Sequence, residues 1–532
     1  MRNFLTSDRC RWCDTPFANR QEIGVLSPVS QLCIWYLRYS HWTLFERVLG
    51  PDRCVVPLLA LAALLTVAGP ASADDFYIDP VAGSPDGDGS AGNPWRMLEE
   101  VIAAGLIETR DWESLPYEPG LDLVPVNPGA PVGPGDTLWL LTGYHGELVI
   151  DGAYNESPVT IAAAAGHVPE LRRIQITSAQ HWVIRGISVS PSHAPLPLTQ
   201  IKIIELDNHN WSGPAWDLTV EDCEVFTIDD ASGWGAAEWV DIASSGVDVT
   251  ADRVSVSRNR LRNVRFGISV SGKDARIEKN LIDGFSADGM RGLGDGGIFA
   301  YNTVKNAYVG DPPDTNHDDG FQSWTFGPGG VGTGEVRDVV LRGNVIINNE
   351  NPDHPLYTPL QAIGCFDGFF VNWTVENNVV ITDHWHGINF SGMRDSRIVN
   401  NTVIDLKSGS PGPPWIRVDD HKDGTPSQNV VVRNNLTTDL SVSGINMVAD
   451  HNIEFSDAAL HFVAPPFDLH LLATSAAVDS GSADLAPPLD ADGVARPQGP
   501  AFDIGAYEWI NPILFGDDFE SGDTAAWSNS AP

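Results

Sequence analysis

Residues 316–324 (NHDDGFQSW) hold the densest set of reactive side chains in the chain. The stretch combines an imidazole, two adjacent carboxylates, an amide and an indole. Because imidazole has an unperturbed pKa of about 6.5, His317 can accept a proton at ordinary pH. Asp318 and Asp319 would need large upward pKa shifts to act as acids. We interpret the stretch as the floor of a sugar-binding groove, with His317 as the leading candidate for a catalytic base.

An asparagine that recurs just before short apolar segments indicates a repeating fold. The recurring residues are Asn259, Asn280, Asn302, Asn344, Asn378, Asn401 and Asn435. Their spacings of 21, 22, 42, 34, 23 and 34 residues fit a short coil with loops inserted on some turns. Asparagine tolerates left-handed backbone, and stacked amides can hydrogen-bond along a ladder. We therefore expect these residues to stack at one corner of a solenoid.

A second repeating position predicts which side chains face the groove. One core column is expected to contain Ile268, Met290, Phe321, Ile363, Ile388 and Ile416. Since side chains alternate along a strand, the next residue of each coil should point outward. That outward column contains Ser269, Arg291, Gln322, Gly364, Asn389 and Arg417. Near the preceding turn stand Asp288, Asp319, Gln361 and His386, with His317 and His384 two residues earlier.

Two reactions suit such a groove. In β-elimination a cation neutralises a uronate carboxylate while a base removes the neighbouring proton. Arg291 or Arg417 could supply the charge and a histidine the base, with Lys273 as the alternative lysine candidate. Hydrolysis, with retention or inversion, needs an acid and a base or nucleophile, for which Asp319 and Asp288 are candidates. A third interpretation is a polysaccharide-binding or adhesin-type protein without catalysis.

The candidate site therefore has two groups of residues. The catalytic candidates are His317, Arg291, His384, His386 and Asp319. The candidates for substrate binding are Asp288, Asp318, Gln322, Trp324, Gln361, Asn389, Arg417 and Lys273. Tryptophans can stack on sugar rings, and those near this face are Trp324, Trp373, Trp385 and Trp415.

Composition excludes one class of partner. The chain has 532 residues, a formal net charge of -38 and an isoelectric point of about 4.5. Such acidity gives no basic stripe for nucleic acid, so a polysaccharide is the expected partner and a monomer the expected state. Only Cys223 and Cys365 lie beyond residue 73, so a disulfide framework is not expected.

The two ends of the chain are expected to lie outside the fold. Residues 55–68 are apolar and are followed by the small residues 71–73, which is typical of a secretory signal peptide. Residues 1–73 are thus predicted as leader and signal peptide, with translation starting near Val48 or Leu49. The mature chain is then secreted or periplasmic and has no membrane span; an inner-membrane anchor is the alternative. Residues 513–532 are predicted as a flexible tail.

Segments near both ends of the mature chain carry a resemblance to a known architecture. Residues 76–95 (FYIDPVAGSPDGDGSAGNPW) lead into a short amphipathic helix, and residues 135–150 (GDTLWLLTGYHGELVI) alternate as a first coil. This opening resembles the amino-terminal cap of secreted right-handed parallel β-helix proteins of the pectate-lyase-like superfamily. Residues 503–508 (DIGAYE) resemble the segment that closes the last coil in bacterial members.

The resemblance covers roughly residues 75–510 and implies an all-β chain. The expected fold is a single-stranded right-handed parallel β-helix over residues 135–512, with an N-terminal cap and capping helix within residues 74–134. Within that superfamily the chain resembles the lyases of the chondroitinase B and alginate lyase group. Their chemistry implies a lysine base, an arginine and a calcium ion at the substrate carboxylate; no other cofactor is expected.

Overall fold

The computed structural model describes residues 73–308 and 318–511. His317, residues 1–72 of the predicted leader and the predicted tail lie outside these ranges, so what the sequence suggests about them stays a prediction. Across the two described ranges, no helix combines the length and apolar character needed to cross a membrane.

The described chain winds as a solenoid of short parallel strands on three faces. We name the face that carries the candidate site the groove sheet. Its strands are Leu148–Ala163, Ile174–Arg185, Lys202–Asp207, Ser245–Val249, Ile268–Val270, Met290–Gly292, Asp319–Trp324, Gln361–Asp367, His386–Ser391, Trp415–Asp419 and Leu440–Val442. Consecutive strands pair in parallel along the solenoid.

The first two of these strands bend and continue onto the next face, which we name the second sheet. Its other strands are Asp75–Ile78, Thr137–Leu140, Trp216–Glu221, Ser255–Ser257, Arg276–Glu278, Ile298–Ala300, Val340–Arg342, Thr374–Glu376, Arg397–Val399, Val431–Arg433 and Val448–Asp450. The bend joins both faces into one continuous sheet of 24 strands among the described residues, two of which, Thr109–Trp112 and Leu123–Val126, are antiparallel.

The third sheet has 12 strands within the described ranges and completes each coil. They are Gly143–Tyr144, Pro169–Leu171, Ser188–Val189, Glu224–Phe226, Arg260–Val264, Leu281–Phe285, Thr303–Ala307, Val345–Ile347, Val379–Thr382, Thr402–Asp405, Leu436–Thr437 and Ile453–Glu454. Short additional sheets pair Phe326–Gly327 with Gly330–Val331, Phe462–Ala464 with Asp468–Leu471, and Glu335–Arg337 with Phe369–Val371 and Met393–Arg394. The helices are Leu98–Ala103 and Ala236–Asp241, with 3-10 turns at Pro191–His193 and Ala458–Leu460.

The asparagine ladder exists, but the left-handed residue is not the one expected. Asn280 Oδ1 accepts hydrogen bonds from both the backbone N–H and the Nδ2 of Asn259, each at 3.0 Å, and the pattern continues to Asn452. The positive φ belongs to the residue before each ladder asparagine, as at Arg258 (56°) and Lys279 (58°). The ladder therefore selects asparagine for its amide and not for its backbone freedom.

The core lies inside the coils and runs the length of the solenoid. The predicted column from Ile268 to Ile416 is buried, each member being at most 1% exposed. Cys365 lies in the adjacent column and is a buried free thiol, as is Cys223. Burial of these stacked apolar rows is the main stabilising contribution to the fold.

The first and last segments of the described chain both pack against the solenoid. At the amino-terminal end, Leu98 and Val101 of the predicted helix are buried against the core. Strand Asp75–Ile78 pairs in parallel with Thr137–Leu140, so the sheet already begins within the segment expected to be a cap. In the last described segment Arg496 Nη1 donates to Glu508 Oε1 at 2.6 Å, with both side chains fully buried. The segment packs on the side of three successive coils, through Asn377, Asn400 and Asn434, instead of closing the last coil as its sequence suggested.

Candidate functional site

One continuous outward column runs along the groove sheet. Strand register places the following residues side by side in consecutive coils: Val149, Gln175, Glu205, Asp248, Ser269, Arg291, Gln322, Gly364, Asn389, Arg417 and Ser441. The predicted segment of this column, from Ser269 to Arg417, is thus in the register that alternation indicated. Consecutive members lie about 4.8 Å apart, so a polymer lying along the solenoid would meet one side chain after another.

A ladder of polar side chains stands beside the column at the start of the strands. The backbone N–H of Asp319 donates to Asp288 Oδ1 at 3.0 Å, and Asp319 is paired in register with Gln361. Gln361 Oε1 lies 3.0 Å from His386 Nδ1, and His386 is paired with Trp415. Five coils therefore bring these residues together although the sequence separates their ends by more than a hundred positions.

The carboxyl group of Asp319 fills a gap in the outward column. A Cβ atom at Gly364 would lie 2.0 Å from Asp319 Oδ1 and 2.8 Å from Phe366 Cε2, so only glycine leaves room for this carboxyl. Gln322 Nε2 donates to Asp319 Oδ2 at 2.9 Å, whereas Oδ1 has no hydrogen-bond partner among the described residues. Burial, and then the negative charges of Asp288 and Asp318, raise the pKa of Asp319 well above its ordinary value.

Asp288 lies beneath the column and not on it. Its side chain is fully buried, and besides the Asp319 N–H it accepts a bond from Arg291 Nε. The Arg291 guanidinium also lies over two aromatic rings, 4.1 Å from the Phe266 centroid and 5.2 Å from that of Trp324. This geometry gives Asp288 the role of holding Arg291 and Asp319 in position, rather than forming with Asp319 an exposed hydrolytic pair.

The two histidines of the groove sheet belong to an aromatic cluster. His386 lies 4.7 Å from Phe366 and 5.6 Å from Trp415, measured between ring centroids. Trp385, 46% exposed, is stacked on Trp415 at 6.3 Å. Burial, then the nearby His384 and the charge of Arg417, lower the pKa of His386 to about 4. Burial also lowers the pKa of His384.

Hydrogen bonds fix the proton positions on both imidazoles. Gln361 Oε1 can only accept, so His386 carries its proton on Nδ1 and leaves the Nε2 lone pair available. His384 Nδ1 accepts the backbone N–H of His386 at 3.1 Å, so His384 carries its proton on Nε2. The neutral pair thus offers one proton acceptor and one proton donor.

Arg417 and Asn389 continue the column past the histidines. Arg417 lies 5.0 Å from the Trp415 ring centroid, and its Nε donates to Asp419 Oδ2 at 3.1 Å. Trp415 Nε1 donates to Asn389 Oδ1 at 3.3 Å. These contacts place a guanidinium and a half-buried indole immediately beside His386.

The remaining candidates are less central. Asp318 is half-buried at the edge of the described segment, and Lys273 is exposed in the turn after strand Ile268–Val270. Trp373 is only 1% exposed and packs against core phenylalanines, so it is not a stacking platform. Trp324 and Trp415 are half-buried.

Sequence reasoning missed an acidic cluster in the same column. Ligand atoms of Glu205, Asp207 and Asp248 lie within 4.8 Å of one another. Lys202 Nζ, however, lies 2.8 Å from Glu205 and 2.9 Å from Asp248, and Arg173 Nη2 lies 2.6 Å from Glu205. Calcium prefers six to eight oxygen ligands, and the cations of Lys202 and Arg173 already bind the carboxylates of Glu205 and Asp248. The cluster therefore does not fit a calcium ion as it stands. Alternation in residues 202–207 and 245–249 was the signal that could have revealed it.

Comparisons with known proteins agree with this architecture. Residues 245–411 match the family model described as "Right handed beta helix region". Together with the parallel sheets, this establishes a right-handed parallel β-helix, as the sequence indicated.

Structure comparison finds similar solved structures at low identity. Pectate lyase Pel9A is 14% identical with a TM-score of 0.40, and the match covers 82% of this chain and 96% of that one. XylC in complex with xylose is 9% identical with a TM-score of 0.47, covering 82% and 99%. An alginate lyase from Paenibacillus sp. str. FPU-7 is 14% identical with a TM-score of 0.32, covering 60% and 93%. Similarity at this level says nothing about the reaction.

Proposed function

We propose that the chain is a carbohydrate-active enzyme that cleaves an acidic polysaccharide by β-elimination along the groove sheet. The observation that carries this proposal is the placement of His386. It is a neutral imidazole whose Nδ1 is held by Gln361 and whose Nε2 lone pair is available, with the guanidinium of Arg417 on the neighbouring coil.

The base must be neutral and oriented. With a pKa of about 4, His386 is mostly unprotonated near neutral pH, so it can accept the C5 proton of a uronate without first losing one of its own. A low pKa also makes it a weak base, so the C5 proton must be acidified. A cation at the uronate carboxylate does this by stabilising the carbanion that forms at C5.

Arg417 is our assignment for that cation, with Arg291 as the other candidate in the column. As the elimination proceeds, the C5–H bond breaks, its electron pair forms the C4=C5 double bond, and the C4–O4 bond breaks. The leaving oxygen then takes a proton from Asp319, whose raised pKa keeps it protonated to higher pH than an ordinary aspartate, or from His384 Nε2–H. No water is consumed in this step.

The product distinguishes the reaction. Uronate-containing polymers are incubated with the protein, with and without chelator, and both ultraviolet absorbance of the unsaturated uronate and new reducing ends are measured. We expect both signals from the wild type and neither from His386→Ala. Chelator tests the calcium that the resemblance implies. Binding without either signal would refute the enzymatic proposal and leave a binding protein.

Hydrolysis is the second candidate reaction, and Asp319 is the residue that supports it. A buried carboxyl group with a raised pKa, turned toward the outward column, is the kind of general acid that glycosidases use. Reducing ends formed without the unsaturated product would favour this candidate and would refute β-elimination.

A further inference from the structure

Four aromatic rings form the wall of a pocket outside the groove, at the corner where the third sheet turns into the groove sheet. The ring centroids of Trp234 and Trp239 are 5.1 Å apart, those of Trp239 and Tyr308 5.0 Å, and those of Tyr308 and His354 4.6 Å. We call this the corner pocket. Its cavity of about 320 Å³ lies at the small end of the about 300–1,000 Å³ typical of small-molecule sites.

The wall is held in place by buried contacts. Trp239 belongs to helix Ala236–Asp241 and is 2% exposed, and its carbonyl oxygen accepts a hydrogen bond from Ser286 Oγ at 2.7 Å. A Cβ atom added to Gly284, whose φ is +88°, would lie 3.4 Å from Tyr308 Cε2. The tyrosine ring therefore packs directly on this backbone. Residues from three separate turns thus form one preorganised surface.

The polar side chains that line the corner pocket carry hydroxyl, amide, imidazole and carboxylate groups. Asn263 donates through Nδ2 to the Ile228 carbonyl at 2.9 Å, which fixes its amide plane at the rim. Asp229 and Asp230 line the opening, and no lysine or arginine does so among the described lining residues. Arg262 bonds Asp229 from outside the lining, whereas Asp230 accepts from Ser232 N–H. A ligand carboxylate would therefore meet net negative charge.

We propose that the corner pocket binds a neutral sugar ring and excludes a uronate. Aromatic faces stack on the apolar faces of a pyranose, while amide and carboxylate groups accept its hydroxyl hydrogens. This inference rests on the proposed function of the groove sheet. A groove that binds uronate, beside a pocket that binds neutral sugar, selects a polymer that contains both kinds of sugar.

The corner pocket and the groove sheet are close enough in the fold to bind the same polysaccharide chain. Ser286, which contacts Trp239, lies two residues before Asp288. Arg265 Nη1 donates to the Val240 carbonyl at 2.9 Å, and the next residue, Phe266, lies under Arg291. The corner pocket thus adjoins the same turns that begin the groove strands.

Titration calorimetry on the full chain tests the inference without relying on catalysis. The probes are neutral xylo-, galacto- and manno-oligosaccharides and, separately, oligogalacturonate. We expect at least one neutral probe to bind and Trp234→Ala to weaken it about tenfold, equivalent to about 1.4 kcal/mol. Trp211→Ala, which removes an exposed tryptophan outside this pocket, should leave affinity unchanged. Tyr308→Phe, which keeps the ring, should weaken binding less than Trp234→Ala.

Charge selectivity is tested by Asp230→Lys, a substitution at an exposed side chain that removes one local hydrogen bond, from Ser232 N–H, and should leave the solenoid folded. It should increase oligogalacturonate binding at the corner pocket, and Trp234→Ala in the same background should abolish that increase. The inference is overturned if no neutral probe binds, if Trp234→Ala and Trp211→Ala bind like the wild type, or if wild-type binding of oligogalacturonate depends on Trp234. None of these outcomes depends on whether the groove performs elimination.

Discussion

Replacing Gly364 with alanine should displace the one carboxyl group that the groove column encloses. The new Cβ would lie 2.0 Å from Asp319 Oδ1, and contacts shorter than 3.0 Å are essentially never seen for a real Cβ atom. The Asp319 carboxyl must therefore retreat by about 1 Å or more, which a packed interior resists. It would do so at the expense of its hydrogen bond from Gln322.

The expected loss of stability follows from these terms. Overpacking costs about 1–3 kcal/mol, and the lost hydrogen bond adds about 1 kcal/mol. Reduced backbone freedom in the unfolded chain offsets about 0.4–1 kcal/mol, because Gly364 has no left-handed φ to forbid alanine. The net expectation is about 1–3 kcal/mol of destabilisation, together with a fall in turnover of about 10²-fold or more if Asp319 donates the proton.

Urea unfolding and product formation measure the two effects together. Gly92→Ala is the matched control because a Cβ there meets nothing within 4 Å, so a change within about 0.5 kcal/mol is expected. In an Asp319→Ala background, Gly364→Ala should cost less, since the oxygen at 2.0 Å is gone and only the contact with Phe366 Cε2 at 2.8 Å remains. Wild-type stability and turnover in Gly364→Ala, or an equal cost in both backgrounds, would show that Asp319 does not occupy this gap.

Three further substitutions test the acid, the base and the scaffold. Asp319→Asn keeps the size of the side chain and the neutral charge of its protonated form. Because the pKa of Asp319 is raised in the folded state, its contribution to wild-type stability is full at low pH and is lost as pH rises through that pKa, so the variant should gain stability relative to the wild type with increasing pH while its turnover is lower. Parallel urea-stability curves of variant and wild type across pH would contradict this. His386→Ala should lose about 10²–10⁴ in turnover with oligosaccharide affinity kept, and on the acid side wild-type kcat should decline as pH falls toward about 4; unchanged turnover would remove His386 as the base. Asn344→Ala orphans two buried donors of Asn302 and should cost about 2–5 kcal/mol in urea unfolding, whereas Asn210→Ala, at an exposed position without a positive φ, should change little; equal effects would refute the ladder's stabilising role.

Much of the fold could be read from the sequence because stacking repeats a local pattern. Each coil must supply an amide at the same corner and apolar residues at the same core positions, so Asn280 and Asn302 or Ile268 and Met290 recur at readable spacings. Period-two alternation then fixed which residues face outward. The left-handed conformation was assigned to the ladder asparagine although it belongs to the residue before it. The two residues could not be told apart because both are polar in several coils.

The candidate site was harder to predict because its decisive contacts cross between coils. Gly364 looked like an empty position in the outward column, and only the neighbouring strand shows that Asp319 occupies it. The corner pocket was missed for a similar reason. Trp234, Tyr308 and His354 come from turns with long insertions, whose paths no repeat spacing fixes.

The acidic charge of the chain and an anionic substrate are reconciled by where the cations lie. Although the net charge is -38, Arg291 and Arg417 both stand in the outward column and each bonds a carboxylate of the protein. Asp288 is buried, so its bond to Arg291 is shielded from competition, whereas Asp419 is partly exposed at the groove edge. A uronate can therefore replace Asp419 at Arg417 at a much smaller desolvation cost than it can replace Asp288 at Arg291. This difference is why Arg417, beside the available lone pair of His386, is the better assignment for the cation that acidifies C5, and Arg291 the better assignment for keeping the Asp288 and Asp319 carboxyl groups together.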